Sequence, residues 1–261
     1  LSKTKPTETL LQKQGFFCLS QTFSGLVDST TNTTIMKGKH IILVGGNSGI
    51  GKAVAEQLTA QGATLFMYSK SGEGTTELDF SQDFDEMPGL PEVIDGVVYC
   101  PGTINLKPFH RISIEDFKQE MEVNFYGAVR VLQACLKGLK KSAAPAVVLY
   151  STVAVQTGMG FHSGISSAKG AIEGLTRSLA AEWAPSKIRV NAIAPSLTET
   201  PLAGALLSTP EKKEASDKRH PLGRVGHPED IASATVFLLS SQSSWMTGQI
   251  LHVDGGMSHL K

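Results

Sequence analysis

A chain of 261 residues, 41% of them hydrophobic, is long enough to bury one sizeable α/β core. Lys plus Arg and Asp plus Glu both total 24, so no net charge draws nucleic acid or an anionic membrane over long range, and no apolar run approaches a membrane span. Cys18, Cys100 and Cys135 are an odd number without paired spacing. They argue against a disulfide framework or a metal site and fit a reducing, cytoplasmic compartment.

Residues 1–37 differ from the rest. Ser29-Thr30-Thr31-Asn32-Thr33-Thr34 is a low-complexity polar run, and Gly15-Phe16-Phe17-Cys18-Leu19 is too short for a signal-peptide core. Glu8 and Asp28 weaken a transit-peptide reading, and Met36 sits just before the first strand. A poorly ordered N-terminal extension is expected here, followed by a single domain over 38–261.

The stretch His40-Ile41-Ile42-Leu43-Val44-Gly45-Gly46-Asn47-Ser48-Gly49-Ile50-Gly51 reads as an apolar strand, a glycine-rich turn and the start of a helix. Gly45 permits a tight turn, Gly49 lets the backbone approach a pyrophosphate, and Gly51 lets the helix sit close to the strand. The helix N-terminus, with Asn47, Ser48 and Ile50 around it, offers N–H groups and a positive dipole end to phosphate. This is a dinucleotide-binding pattern in its proper strand–helix context.

A second strand over 63–68 ends at Ser69-Lys70-Ser71. An acidic residue there would grip the ribose hydroxyls of NAD. Lys70 and its serines suit a 2′-phosphate instead, so NADP is favoured over NAD, with a merely solvated lysine as the plain alternative. A brief third strand is expected over Thr75–Phe80, and 85–91 leaves room for only a minimal helix. A fourth strand, 96–100, breaks at Pro101-Gly102, a sharp turn where ligands sit in open parallel sheets. Ser113-Ile114-Glu115-Asp116 resembles a capping box and should start one long helix running to about Lys141, with Asn124 inside it.

Strand five, 146–150, leads into Ser151-Thr152, a glycine-bearing loop ending at His162, and a helix carrying Lys169 near its start. Strand six, 188–193, runs into Ala194-Pro195-Ser196. Residues from about 202 to 220 are charged and small, as in a mobile lid. Pro228 opens a further helix, and the last strand is 249–253. Strands and helices alternating at this rhythm mean a parallel sheet with helices on both faces.

With these residues in view, the chain resembles the short-chain dehydrogenase/reductase family. The markers are Gly45-Gly46-Asn47-Ser48-Gly49-Ile50-Gly51, Asn124, Ser151-Thr152, Lys169, Ile188-Arg189-Val190-Asn191-Ala192-Ile193-Ala194-Pro195 and Val253-Asp254-Gly255-Gly256. The resemblance covers nearly everything from Lys37 onward. It implies a Rossmann-type doubly wound sheet of about seven strands, an NAD(P) cofactor and a homotetramer or homodimer. It also implies cofactor contacts at Asp79, Gly102, Asn124, Lys169, Pro195, Thr198 and Thr200. The expected activity is NADPH-linked reduction of a small carbonyl compound, or the reverse oxidation, by hydride transfer.

The family uses Asn, Ser, Tyr and Lys, with the Tyr four residues before the Lys. Asn124 and Lys169 match, Thr152 keeps the hydroxyl of the Ser, and the Tyr falls on Ile165. An isoleucine has no proton to give. Val44, Tyr99-Cys100-Pro101-Gly102 and Ser196 also depart from the family's residues at their positions. His162, three residues before Ile165, is the expected substitute proton donor, and Tyr150 is a lesser candidate. The other reading is a catalytically silent NADP-binding sensor or partner subunit.

Overall fold

The computed structural model describes residues 35–84 and 86–260. In chain order these form β1 (His40–Val44), α1 (Gly49–Ala60), β2 (Thr64–Ser69), β3 (Thr76–Glu77), β4 (Gly96–Tyr99), α2 (Ile114–Met121), α3 (Gly127–Leu139) and β5 (Ala146–Tyr150). There follow α4 (Ala154–Thr157), α5 (Ser163–Trp183), β6 (Arg189–Pro195), α6 (Pro210–Asp217), α7 (Pro228–Leu239) and β7 (Ile250–Val253). The sheet is parallel throughout, in the order β3-β2-β1-β4-β5-β6-β7. This is the doubly wound Rossmann-type sheet expected, with its seven strands.

Central strands buried on both faces read as unbroken apolar runs, because both alternating sets of side chains meet a helix layer. Ile42, Val44, Val97, Val147 and Leu149 pack with Val131, Leu132 and Leu139 of α3 and Ile172 of α5. Ile41, Leu43, Val98 and Val148 pack with Val54 and Leu58 of α1 and Ile231 and Val236 of α7. Met36 is also buried in this second cluster, so core packing reaches into the stretch assigned to the extension. Residues 1–34 of that stretch lie outside the described residues.

Three elements differ from expectation. The third strand pairs over Thr76–Glu77 only, because the Asp79 carboxylate accepts from Ser81 N (3.0 Å) and Ser81 Oγ (2.7 Å) and turns the chain. No helix follows at 86–92. The single long helix expected from Ser113 to about Lys141 is two helices joined by a π-helical turn, Glu122–Tyr126. Its cause is local. The Tyr99 hydroxyl donates to Val123 O (2.6 Å), and a Cβ on Gly127 would sit 2.2 Å from that hydroxyl. A side-chain donor thus takes a carbonyl of the ladder, a standard origin of such turns. The capping box forms as expected, Asp116 N donating to Ser113 Oγ (3.0 Å) and Ser113 N to Asp116 Oδ2 (2.9 Å).

Chain connectivity reverses between β1 and β4, whose C-terminal ends lie side by side with Val44 paired to Tyr99. In such sheets the crevice beyond this switch point is where ligands bind. Among the described residues no helix is long and apolar enough to cross a membrane.

Candidate active site

Two adjoining cavities open at that crevice. The first, of 420 Å³, is lined by the glycine turn and by the ends of β2 and β4. Gly45 (φ +76°) and Gly49 (φ +50°) take backbone conformations that favour glycine, and a Cβ on Gly51 would lie 2.0 Å from Gly45 O. The turn therefore closes only with glycine at position 51. Ser48 precedes α1 in extended conformation and makes no side-chain cap. That leaves the first-turn N–H groups of α1 without a side-chain partner, a ready anion site.

At the end of β2, Asn47 Nδ2 donates to Ser69 Oγ (3.3 Å), and Ser69 Oγ is 2.7 Å from Thr75 Oγ1. The glycine turn is thus tied to the segment carrying Lys70. Lys70 Nζ sits 2.9 Å from Asp79 Oδ2 and is largely exposed. The hydrogen bonds from Ser81 and the Lys70 ammonium hold the Asp79 carboxyl down at about 2. Of the expected cofactor residues, Gly45, Asn47, Ser48, Gly49, Ile50, Gly51, Ser69, Lys70, Asp79, Gly102 and Thr200 all line this cavity. Its shape, its free helix N-terminus and its cationic edge fit a dinucleotide.

The second cavity, of 310 Å³, is more apolar and shares Ile50, Cys100, Gly102, Thr200 and Leu202 with the first. Thr152, His162, Ile165, Lys169, Pro195 and Thr198 line it, which brings together the expected reaction centre apart from Asn124. Leu202, Ala203 and Leu206, from a 3₁₀ stretch at Pro201–Leu207, border it where the lid was expected.

Lys169 projects from α5 and is only 7% exposed. Burial lowers its ammonium to about 8, opposed by Cys100 and Glu120 nearby. Burial also pushes the Cys100 thiol up to about 12. Ile165 is 6% exposed, one helical turn earlier on the same helix.

Asn124 lines neither cavity. It is fully buried in the π-helical turn, its Nδ2 donating to Thr103 Oγ1 (2.9 Å), Glu120 O (2.9 Å) and Glu120 Oε2 (3.1 Å). Its Oδ1 has no partner and lies 3.5 Å from where a Gly102 Cβ would stand, with Lys169 Nζ at 3.7 Å from the same point. An Asn inside a regular helix would face its neighbours differently, so the π turn places it.

The two expected proton donors fare differently. His162 is the residue before α5 rather than part of its first turn, so it does not share a helical face with Ile165. Its Nδ1 is 2.7 Å from Gly160 O, which leaves Nε2 without a bonded partner. Tyr150 is buried, its hydroxyl 2.7 Å from Thr235 Oγ1 of α7, and burial raises it well above the ordinary phenol range. That pairing ties it to the core, while the residue also lines the second cavity. Sequence reasoning missed Glu120 and Thr103, the pair that holds Asn124. The only hint was a glutamate one helical turn before the Asn.

Residues 75–258 match the sequence model of a family described as enoyl-(acyl carrier protein) reductase. The chain is 32% identical to a 3-oxoacyl-[acyl-carrier-protein] reductase of Aquifex aeolicus, over 85% of this chain and 98% of that one. Its structure is similar to that of a Thermoplasma acidophilum aldohexose dehydrogenase, with a TM-score of 0.79 and 27% identity over 86% of this chain and 96% of that one. It is also similar to a putative 2-deoxy-D-gluconate 3-dehydrogenase of Agrobacterium tumefaciens with bound NADP, with a TM-score of 0.78 and 31% identity over 87% of this chain and 98% of that one.

Proposed function

Because the chain belongs to the short-chain dehydrogenase/reductase family, we propose that it is an NADP-linked oxidoreductase that reduces a small carbonyl compound, or runs the reverse oxidation. The observation that carries this reading is Lys169, a buried ammonium in the wall of the second cavity, which shares Gly102 and Cys100 with the cavity behind the glycine turn.

The residues present divide the work. The N-terminus of α1, through Ser48 to Gly51, holds the pyrophosphate. Ser69 and Lys70 take the 2′-phosphate, Asp79 the adenine end, and Lys169 the ribose next to the nicotinamide. When bound, the nicotinamide supplies or accepts a hydride. The Thr152 hydroxyl orients the substrate oxygen beside Lys169, whose charge favours the developing oxyanion. The apolar walls from Ile165, Leu202 and Leu206 keep water from the reacting carbon and favour a small, weakly polar carbonyl compound.

Ile165 supplies no proton, so the proton comes from another group on the cavity wall. The wall also carries Lys169 and several hydroxyls; in this reading the proton passes through His162 Nε2 or the Thr103 hydroxyl. Subunits pair as homodimers or homotetramers in this reading.

The test is NADPH consumption on a panel of small aldehydes and ketones. Turnover with NADPH that drops at least about tenfold in Thr152→Val supports the reading. A protein that binds NADPH and reduces nothing on the panel is the silent binder instead.

A further inference from the structure

We propose that Glu120 is the proton reservoir of this site and acts through the Thr103 hydroxyl, in place of the acid that Ile165 cannot be. The inference rests on the oxidoreductase reading above.

Glu120 lies on α2 and is 2% exposed, yet among the described residues no cation is bonded to its carboxylate. A carboxylate taken out of water without a bonded cation is costly, and a purely structural side chain at this place would be apolar. α5 packs directly against the carboxyl stem: a Cβ on Gly164 would meet Ile112 Cδ1 at 2.9 Å and touch Glu120 Cγ at 3.4 Å. Among the described residues the carboxyl is bonded by two groups, Asn124 Nδ2 (3.1 Å) and the Thr103 hydroxyl. Thr103 is half-buried and lines the second cavity; Glu120 does not. The hydroxyl is therefore the one bonded link from a buried carboxyl to the reaction chamber.

The charged groups around Glu120 have been placed by the fold. Lys169 on α5 favours the carboxylate, and Asp116 on α2 disfavours it. Asp116 is itself engaged by Lys107 (2.8 Å) and Asn105 (3.1 Å) from the preceding loop. Burial is the larger influence and raises Glu120 above the ordinary carboxyl range.

The hydroxyl arithmetic works. Thr103 Oγ1 accepts from Asn124 Nδ2, and its hydroxyl donates to the Glu120 carboxylate; once Glu120 is protonated and donates to Thr103 Oγ1 instead, the Thr103 O–H is free to donate into the cavity. In the reduction, the substrate carbon gains a hydride with its electron pair from the reduced nicotinamide. The substrate oxygen gains the Thr103 proton, directly or through one water, as the Glu120 O–H bond breaks and its proton passes to Thr103 Oγ1. An alcohol, an oxidised cofactor and a Glu120 carboxylate result, and solvent returns one proton to the carboxylate. Oxidation runs the same path backwards.

The experiment compares the full-length protein with Glu120→Gln, an isosteric change, in two backgrounds: wild type and Ile165→Tyr. NADPH binding is titrated first by fluorescence, and equal affinity in both backgrounds is expected. Reduction of diacetyl, pyruvaldehyde and benzaldehyde is then followed against pH. In the wild-type background, Glu120→Gln is expected to lower kcat about 100-fold, leave KM for NADPH in place, and abolish the fall of kcat with rising pH. In the Ile165→Tyr background the same change is expected to cost less than about threefold, since the phenol supplies the proton. Infrared difference spectra across the pH series should show a protonated carboxyl band that Glu120→Gln removes. Equal loss in both backgrounds, no loss in either, or a collapse of kcat in His162→Ala alone would overturn the proposal. So would a wild type that binds NADPH and turns over nothing. Failure to bind NADPH at all would instead overturn the reading beneath it.

Discussion

Ile165 and Lys169 stand one helical turn apart on α5, each more than nine-tenths buried, and both border the same 310 Å³ cavity. The resemblance read from the sequence puts the family's phenol at the isoleucine's position. In the proposed function the ammonium holds a ribose and favours an oxyanion, and Ile165 contributes only shape.

Lys169 should make NADPH affinity fall as pH rises. Its ammonium is lowered to about 8, so it is charged at neutral pH and loses its proton between about pH 7 and 9. Lys169→Met is expected to weaken NADPH binding about 10- to 100-fold at pH 7, the value of a charged hydrogen bond. It should also flatten the pH dependence. Isothermal titration at pH 6, 7, 8 and 9 checks both; an unchanged slope in the variant would remove Lys169 from the cofactor's contacts.

Lys70 should discriminate between cofactors while adding little stability. Its ion pair with Asp79 spans 2.9 Å at an exposed edge, where such pairs contribute about 0–1 kcal/mol. Lys70→Ala is expected to raise Kd for NADPH about tenfold, leave Kd for NADH nearly unchanged, and shift Tm by no more than about 3 °C. Equal weakening for both cofactors would place the 2′-phosphate elsewhere.

Gly51 should tolerate no side chain. A Cβ there meets Gly45 O at 2.0 Å, and both atoms belong to backbone that cannot rotate away. Gly51→Ala is expected to cost at least about 2 kcal/mol and to abolish NADPH binding, as read by thermal melting and titration. Gly174→Ala, at a helical glycine of α5 whose added Cβ would meet nothing within 4 Å, should leave NADPH binding intact.

Much of this was legible from residue pattern, because its causes are local. The glycine turn announces itself where a strand, a tight turn and a helix must meet, and the apolar runs of β1, β4 and β5 follow from strands buried on both faces. The capping box at Ser113 and Asp116 is likewise a short-range device. What was not legible depends on contacts distant in sequence. The π-helical turn arises from Tyr99, 24 residues before the carbonyl it takes. The shortening of β3 follows from a side-chain turn at Asp79. The Tyr150 hydroxyl is engaged by Thr235, 85 residues away. Glu120 matters only because Thr103 and Gly164 come to it from two other segments.

The thiols report on the cavity walls. Burial raises both Cys100 and Cys135 to about 12, so near neutrality the thiolate, the reactive form, is scarce at each. Site-resolved iodoacetamide labelling of the native protein at pH 7–9 should find both slow. On unfolding, with thiol values near about 8.5, labelling should speed up by more than about 100-fold. Rapid native labelling of Cys100 would mean that the wall between the two cavities is open to solvent.

The most direct measurement is thermal melting of the protein alone, with NADPH, and with NADH. A ligand at about 100 times its Kd adds roughly 2.7 kcal/mol, and each kcal/mol is worth about 2–4 °C in a domain of this size. A rise of roughly 5–10 °C with NADPH and little with NADH is expected if the glycine turn and Lys70 hold a 2′-phosphorylated dinucleotide. No rise with either would contradict the function assigned to both cavities.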